Sequence, residues 1–106
     1  MDLNKNVELV RLFDVYSTVL TKKQQEIFNF YVLNDLSLAE VSAISNISRQ
    51  AVKDSLDKAV NSMQKLENNL QVLARFDKIK KELKIIESQV ENPNLKNRIT
   101  KLMEEI

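Results

Sequence analysis

Apolar residues return every three or four positions along almost the whole chain, which is the spacing of one face of an α-helix. The first predicted helix runs from about Lys5 to Leu20. Thr21 precedes the second helix as an N-cap, because Gln24 stands three residues later and completes a capping box. The second helix continues to about Leu33, and its residues expected to face inward are Ile27, Phe28, Tyr31 and Val32.

A short third helix is predicted from Leu38 to Ser45, opened by the capping box of Ser37 and Glu40. Asn46 follows where the chain has to reverse within a few residues. Asparagine tolerates the left-handed conformation that such a reversal requires. Ser48 then stands as the N-cap of a fourth helix, so the segment has the layout of two helices joined by a tight turn.

The spacing of apolar residues around this turn predicts a helix-turn-helix, in which two helices cross at a steep angle. Ser42 is the small residue expected where the two helices approach each other. The expected inward set is Val41, Ile44, Ile47, Val52 and Leu56.

The fourth helix is long, and its apolar residues follow a heptad spacing. The series is Val52, Leu56, Ala59, Met63, Leu66, Leu70 and Leu73. The repeat slips in phase after Leu73, which predicts a break or strong bend near Arg75. A last helix begins at Asn92 and Pro93, with Asn92 as N-cap. We therefore expect a helix-turn-helix domain in residues 1–75 and a helical extension in residues 76–106, packed on that domain or forming a dimer contact.

The composition supports an all-α fold and excludes most enzyme chemistry. The 106 residues include no glycine, cysteine or histidine and one proline. Sheet-rich folds need glycine in their turns, and helices joined by short polar loops do not. The chain lacks the usual general base, thiolate and zinc ligands. We expect no enzyme, no cofactor and no metal site.

The sequence also predicts a cytoplasmic protein without membrane insertion. Absence of cysteine suits a reducing compartment. The N-terminal residues lack the apolar run of a signal peptide, and no segment approaches the roughly 20 apolar residues of a membrane span.

Candidate nucleic-acid contacts cluster at the start of the fourth helix. Arg49 and Gln50 carry donors that match base edges in the major groove, and Lys53 would join them. Ser48, the free amides beside it and Lys58 would hold the phosphate backbone. Residues 1–48 carry a net charge of −2 and residues 49–106 a net charge of +3, which favours an anionic partner for the latter. Asp54 and Asp57 oppose it. The alternative is a helix-turn-helix scaffold that contacts only protein.

Residues 21–66 resemble region four of bacterial sigma factors, and the motifs that carry the resemblance include Leu20-Thr21-Lys22-Lys23-Gln24 and Ile47-Ser48-Arg49-Gln50-Ala51-Val52. Together with Leu12-Phe13-Asp14-Val15-Tyr16 and the run from Asn34 to Glu40, the chain resembles the YlxM-type family more closely and over nearly its full length. Asn46 departs from the usual pattern, in which glycine is common.

The first resemblance implies a sigma-region-four-like bundle that reads DNA with its fourth helix. The second implies a small helical cytoplasmic protein whose gene lies beside those of the signal recognition particle. From these we expect a DNA-binding regulatory protein, with DNA favoured over RNA. The fourth helix extends beyond the helix-turn-helix and leaves apolar surface to be covered, so we also expect a homodimer. The alternative is an adaptor that contacts the protein or RNA of the signal recognition particle.

Overall fold

The computed structural model describes residues 7–106, which form six α-helices and no strand. The all-α class is confirmed. The predicted start of the first helix at Lys5 lies outside the described residues. The helices are α1 (Val7–Tyr16), α2 (Lys22–Phe28), α3 (Leu38–Ser45), α4 (Arg49–Leu70), α5 (Val72–Gln89) and α6 (Pro93–Glu104).

Short helical turns of other types extend the first two helices. A 3-10 turn over Ser17–Val19 follows α1, and a π-helix over Asn29–Leu33 follows α2. Both predicted helices therefore end close to where the sequence indicated. The Thr21 capping box is present, because the Thr21 hydroxyl accepts from the amide of Gln24 and the Gln24 side chain accepts from the amide of Thr21.

The chain divides into two compact units, the first ending at Leu70 and the second running over Gln71–Ile106. In the first unit α1, α2 and α3 each pack on α4. Phe13 and Phe28 stack at its centre, with ring centroids 4.5 Å apart and planes inclined by 10°. The buried apolar side chains of this unit are Leu9, Leu12, Phe13, Tyr16, Leu20, Ile27, Phe28, Val41, Val52, Leu56, Ala59, Val60 and Met63.

One polar contact ties the first helix to the last turns of α4. The Tyr16 hydroxyl donates to Oε1 of Glu67 over 2.6 Å, in a partly buried position. Tyr16 itself is buried. The bond joins residues that are far apart in sequence, so it holds α1 against the C-terminal part of α4.

The long helix ends earlier than the heptad pattern indicated. Gln71 adopts a left-handed conformation, with φ 54° and ψ 36°, and separates α4 from α5. The interruption predicted near Arg75 is therefore found at Gln71. The predicted apolar seam is buried as far as Met63, whereas Leu66 is half-buried and Leu70 is exposed. Beyond Met63 the neighbouring helices no longer cover the whole seam.

The second unit is a hairpin in which α5 packs on α6. Asn92 caps α6, since its side chain accepts from the amides of Asn94 and Leu95, and Pro93 occupies the first helical position. Both features were predicted. The Thr100 hydroxyl reaches Glu87 across the hairpin at 3.2 Å.

Within residues 7–106, no helix combines the length and apolar character required to cross a bilayer.

Candidate nucleic-acid interface

The first helix of the predicted helix-turn-helix begins with a reciprocal cap. The amide of Glu40 donates to the Ser37 hydroxyl, and the amide of Ser37 donates to Oε1 of Glu40, each over 3.0 Å. These bonds satisfy two amides that the helix itself leaves without partners. The start of α3 is thus determined by four consecutive residues.

The turn between α3 and α4 is built around Asn46, which has φ 57° and ψ 41°. The Ser42 carbonyl accepts hydrogen bonds from the amides of both Asn46 and Ile47. This pattern resembles the Schellman ending of a helix, which requires a left-handed residue and usually takes glycine. Asparagine is the common substitute. The predicted reversal at Asn46 is confirmed.

Ser42 is small enough for the two helices to approach each other, and its side chain also forms a hydrogen bond within the turn. Its hydroxyl donates to the carbonyl of Ile47, so one serine contacts the turn through both its backbone and its side chain. The sequence indicated a small residue here and did not reveal this bond. The turn is consequently closed by Ser42 from the α3 side.

Ser48 opens α4 in the predicted manner. Its hydroxyl accepts from the amide of Ala51 and its carbonyl accepts from the amide of Val52, each over 3.0 Å. In a helix that starts this way, the amides of Arg49 and Gln50 have no intrahelical partner. They point out of the helix end and form a place where an anion can be held.

The inward set around the turn is confirmed in part. Val41, Val52 and Leu56 are buried and Ile47 is half-buried. Ile44 was predicted to face inward and this is wrong, because its side chain is 58% exposed. Ile44 lies in the last turn of α3, immediately before the reversal. Spacing along α3 identifies its apolar residues, but the direction in which α4 leaves the turn decides which of them is covered.

The candidate contact residues begin with Ser48, directly before α4, and those on α4 itself fall into two groups. Ser48, Arg49, Gln50 and Lys58 are exposed, and Lys53 is half-buried. At 3.6 residues per turn, Arg49, Gln50 and Lys53 lie within about 100° around the helix axis and within about 6 Å along it. Lys58 lies about 180° from Arg49 and about 13.5 Å further along. Arg49, Gln50 and Lys53 therefore form one cluster, and Lys58 stands apart from it.

Two carboxylates modify the charge of this surface. The Gln50 side-chain amide donates to Oδ1 of Asp54 over 2.9 Å. Spacing of four residues on a helix allows this bond, so the sequence contained its signal. Asp57 is half-buried, and its Oδ1 atom is buried without a hydrogen-bond partner among the described residues. Gln50 is thus oriented before any ligand arrives, with its carbonyl oxygen left to accept.

A comparison with protein families shows which family the chain belongs to. A family model described as "Putative helix-turn-helix protein, YlxM / p13 like" matches residues 3–106. The chain belongs to this family. The match includes the turn at Asn46, the first turns of α4 and the C-terminal hairpin.

Individual relatives agree with the family match. A UPF0122 protein of Thermoanaerobacter sp. (strain X514) is 41% identical over 102 residues, which cover 90% of this chain and 84% of the relative. A UPF0122 protein of Halalkalibacterium halodurans is 31% identical over 104 residues, covering 98% and 95%. One of Fusobacterium nucleatum is 33% identical over 103 residues, covering 97% and 100%. The similarity to the family therefore extends through both compact units.

The family description names a structural motif and no catalytic activity. It agrees with the α3–turn–α4 geometry.

Proposed function

We propose that this family member is a cytoplasmic regulatory protein that binds duplex DNA through the start of α4. The observation that carries the proposal is the cluster of exposed Arg49 and Gln50 with half-buried Lys53, directly after a helix-turn-helix reversal. Arginine can pair with a guanine edge and glutamine with an adenine edge. The free amides at the helix start would donate hydrogen bonds to a phosphate.

The shape of the surface favours DNA over RNA. The major groove of B-form DNA admits an α-helix, and each base pair presents a distinct pattern there. The major groove of A-form RNA is deep and narrow, so side chains on a helix do not reach its base edges. An exposed helix start with base-matching side chains therefore suits DNA. Lys58, on another side of α4, would contact the backbone from a separate position.

Binding to a fluorescently labelled pool of randomised duplex DNA, measured by anisotropy over a salt series, tests the proposal. The double variant Arg49→Ala, Lys53→Ala should bind more weakly because it removes two side chains of the cluster. Lys58→Ala removes a proposed phosphate contact and should reduce the log–log salt slope by about 0.9. The matched control is Lys80→Ala, Lys84→Ala, which removes the same charge from exposed positions of α5. Equal affinity of the Arg49, Lys53 variant and the unchanged protein would refute the assignment.

A second candidate is an adaptor that contacts the protein or RNA of the signal recognition particle. The observation that favours it is the presence of two carboxylates on this part of α4, since carboxylates repel phosphate: Asp54 contacts Gln50, and Asp57 lies one turn further along the helix. The YlxM-type resemblance suggests the signal recognition particle as the partner, because it implies a gene beside those of the particle. Retention of purified particle protein by the immobilised chain, with nuclease present throughout, would support the adaptor. Retention that nuclease abolishes would show that a nucleic acid, and not the particle protein, makes the contact.

A further inference from the structure

The C-terminal hairpin leaves large aliphatic side chains uncovered. Ile79 of α5 is 49% exposed and Leu102 of α6 is 56% exposed, and Ile86 and Leu95 are exposed to a similar degree. Two packed helices cover only the stripes that face each other. The hairpin thus presents an apolar surface of its own.

The exposed stripes of the two helices carry the same short motif. It consists of an arginine, a lysine three residues later, an aliphatic residue directly after it and a glutamate three residues further on. All its members are exposed, and each set lines an open groove on its helix. The motif is Arg75, Lys78, Ile79 and Glu82 on α5, and Arg98, Lys101 and Leu102 on α6 with Glu105 at its C-cap.

This motif places positive charge at one end of each stripe and negative charge at the other. On α5 the four side chains lie within about 100° around the helix axis, with basic residues at one end, Ile79 in the middle and Glu82 at the other end. Arg75 and Glu82 are separated by about 10.5 Å along the axis. The same order recurs from Arg98 through Leu102 on α6 to Glu105 at its C-cap.

We propose that this face of the hairpin binds a second copy of the chain, with the two α5 helices antiparallel across a two-fold axis near Ile79. A two-fold interface brings the same surface of both copies together, so residue i meets j and j meets i. Arg75 then meets the second copy's Glu82 twice, and Ile79 meets its own equivalent. A parallel pairing would set Arg75 against Arg75 and Glu82 against Glu82, whereas the antiparallel pairing sets like charges together at Lys78 beside the axis and opposite charges at both ends.

A second copy fits this surface better than a nucleic acid does. The centre of the face is aliphatic and offers a phosphate backbone no hydrogen-bond donor, and each stripe carries a glutamate beside its two basic residues. Helices of 18 and 12 residues are about 27 Å and 18 Å long, and each is about 10 Å wide, which gives a face of about 450 Å² in projection. The accessible surface of a ridged helix face exceeds its projection. The face therefore approaches the roughly 600–1,000 Å² per partner of a specific interface.

Sedimentation equilibrium of the full chain over a wide concentration range tests this interface without any nucleic acid, so its outcome is separate from that of the proposed function. The unchanged protein should form dimers. Ile79→Lys places two ammonium groups at the two-fold axis and should raise the dimer dissociation constant at least about 100-fold. The control is Val19→Lys, because Val19 is a similarly exposed aliphatic residue in the first unit. Circular dichroism establishes that both variants remain folded.

A charge exchange tests the antiparallel pairing itself. Arg75→Glu would face the second copy's Glu82 and should weaken the dimer about 10-fold. Adding Glu82→Arg to the same chain restores opposite charges across the two-fold axis and should return the affinity to that of the unchanged protein. A double variant that stays as weak as Arg75→Glu would overturn this pairing. A monomeric unchanged protein at every concentration, or an intact Ile79→Lys dimer, would overturn the interface.

Discussion

Replacing Asn46 by alanine tests the geometric feature on which the helix-turn-helix depends. Asn46 has φ 57° and ψ 41°, and its turn is held by hydrogen bonds from Ser42 and to it. The left-handed region costs a residue with a β-carbon about 1–2 kcal/mol, and it costs asparagine less because the short polar side chain can hydrogen-bond locally. We expect Asn46→Ala to lower the free energy of unfolding by about 1 kcal/mol.

Glycine at the same position should behave differently. Asn46→Gly removes the β-carbon and should leave the stability near that of the unchanged protein, since the relief of strain offsets the greater freedom of glycine in the unfolded chain. The control for the chemical change is Asn61→Ala, at an exposed position within α4. At that position alanine has the higher helix propensity and should raise the free energy of unfolding by about 0.5 kcal/mol. The same substitution therefore has opposite signs at the two positions.

Thermal unfolding followed by circular dichroism provides the measurement. A loss of about 1 kcal/mol in a domain of this size lowers Tm by about 4–8 °C. Urea titration gives the same difference independently and shows whether the slope stays constant. If Asn46→Ala proved as stable as Asn46→Gly, residue 46 would not be left-handed in solution, and the turn described above would be wrong.

Two further substitutions test the packing of the first unit, and both are measured by urea unfolding. Phe28→Ala removes a fully buried ring stacked on Phe13 and should lower the free energy of unfolding by about 3–5 kcal/mol, whereas Phe28→Leu should lower it by less; equal losses would contradict the tight fit. Tyr16→Phe removes the donor of the hydrogen bond to Glu67 and should lower the free energy of unfolding by about 1.5–3 kcal/mol. Glu67→Gln keeps an acceptor and should cost less, and an unchanged Tyr16→Phe variant would show that this bond contributes nothing.

Features that depend on a few consecutive residues were predictable. The caps at Thr21, Ser37, Ser48 and Asn92 each join a side chain to an amide two or three residues away. Such bonds need no distant partner, so the sequence indicates them directly. The left-handed turn at Asn46 belongs to the same class.

The candidate contact cluster was predictable to the same extent. Helical periodicity and the cap at Ser48 determine that Arg49, Gln50 and Lys53 lie near one another. The bond between Gln50 and Asp54 also follows from helical spacing. The function of this cluster stays a prediction, because a helix start with these side chains suits both nucleic acid and protein partners.

Features that depend on distant segments were decided by the tertiary structure. Ile44 has the spacing of a core residue and is exposed, because burial on α3 depends on where α4 lies after the turn. Leu70 continues the heptad pattern and is exposed. The helix break falls at Gln71, a residue that nothing in the apolar pattern distinguishes.

The amino-acid sequence by itself determined the helices, their caps and the reversal, since hydrogen bonds between near neighbours and the period of the α-helix specify them. Only the tertiary structure decided which apolar faces are covered. The contact of Tyr16 with Glu67 and the stacking of Phe13 on Phe28 join residues from different helices. No local pattern encodes such contacts, because burial is a property of the packed helices together and not of any one of them.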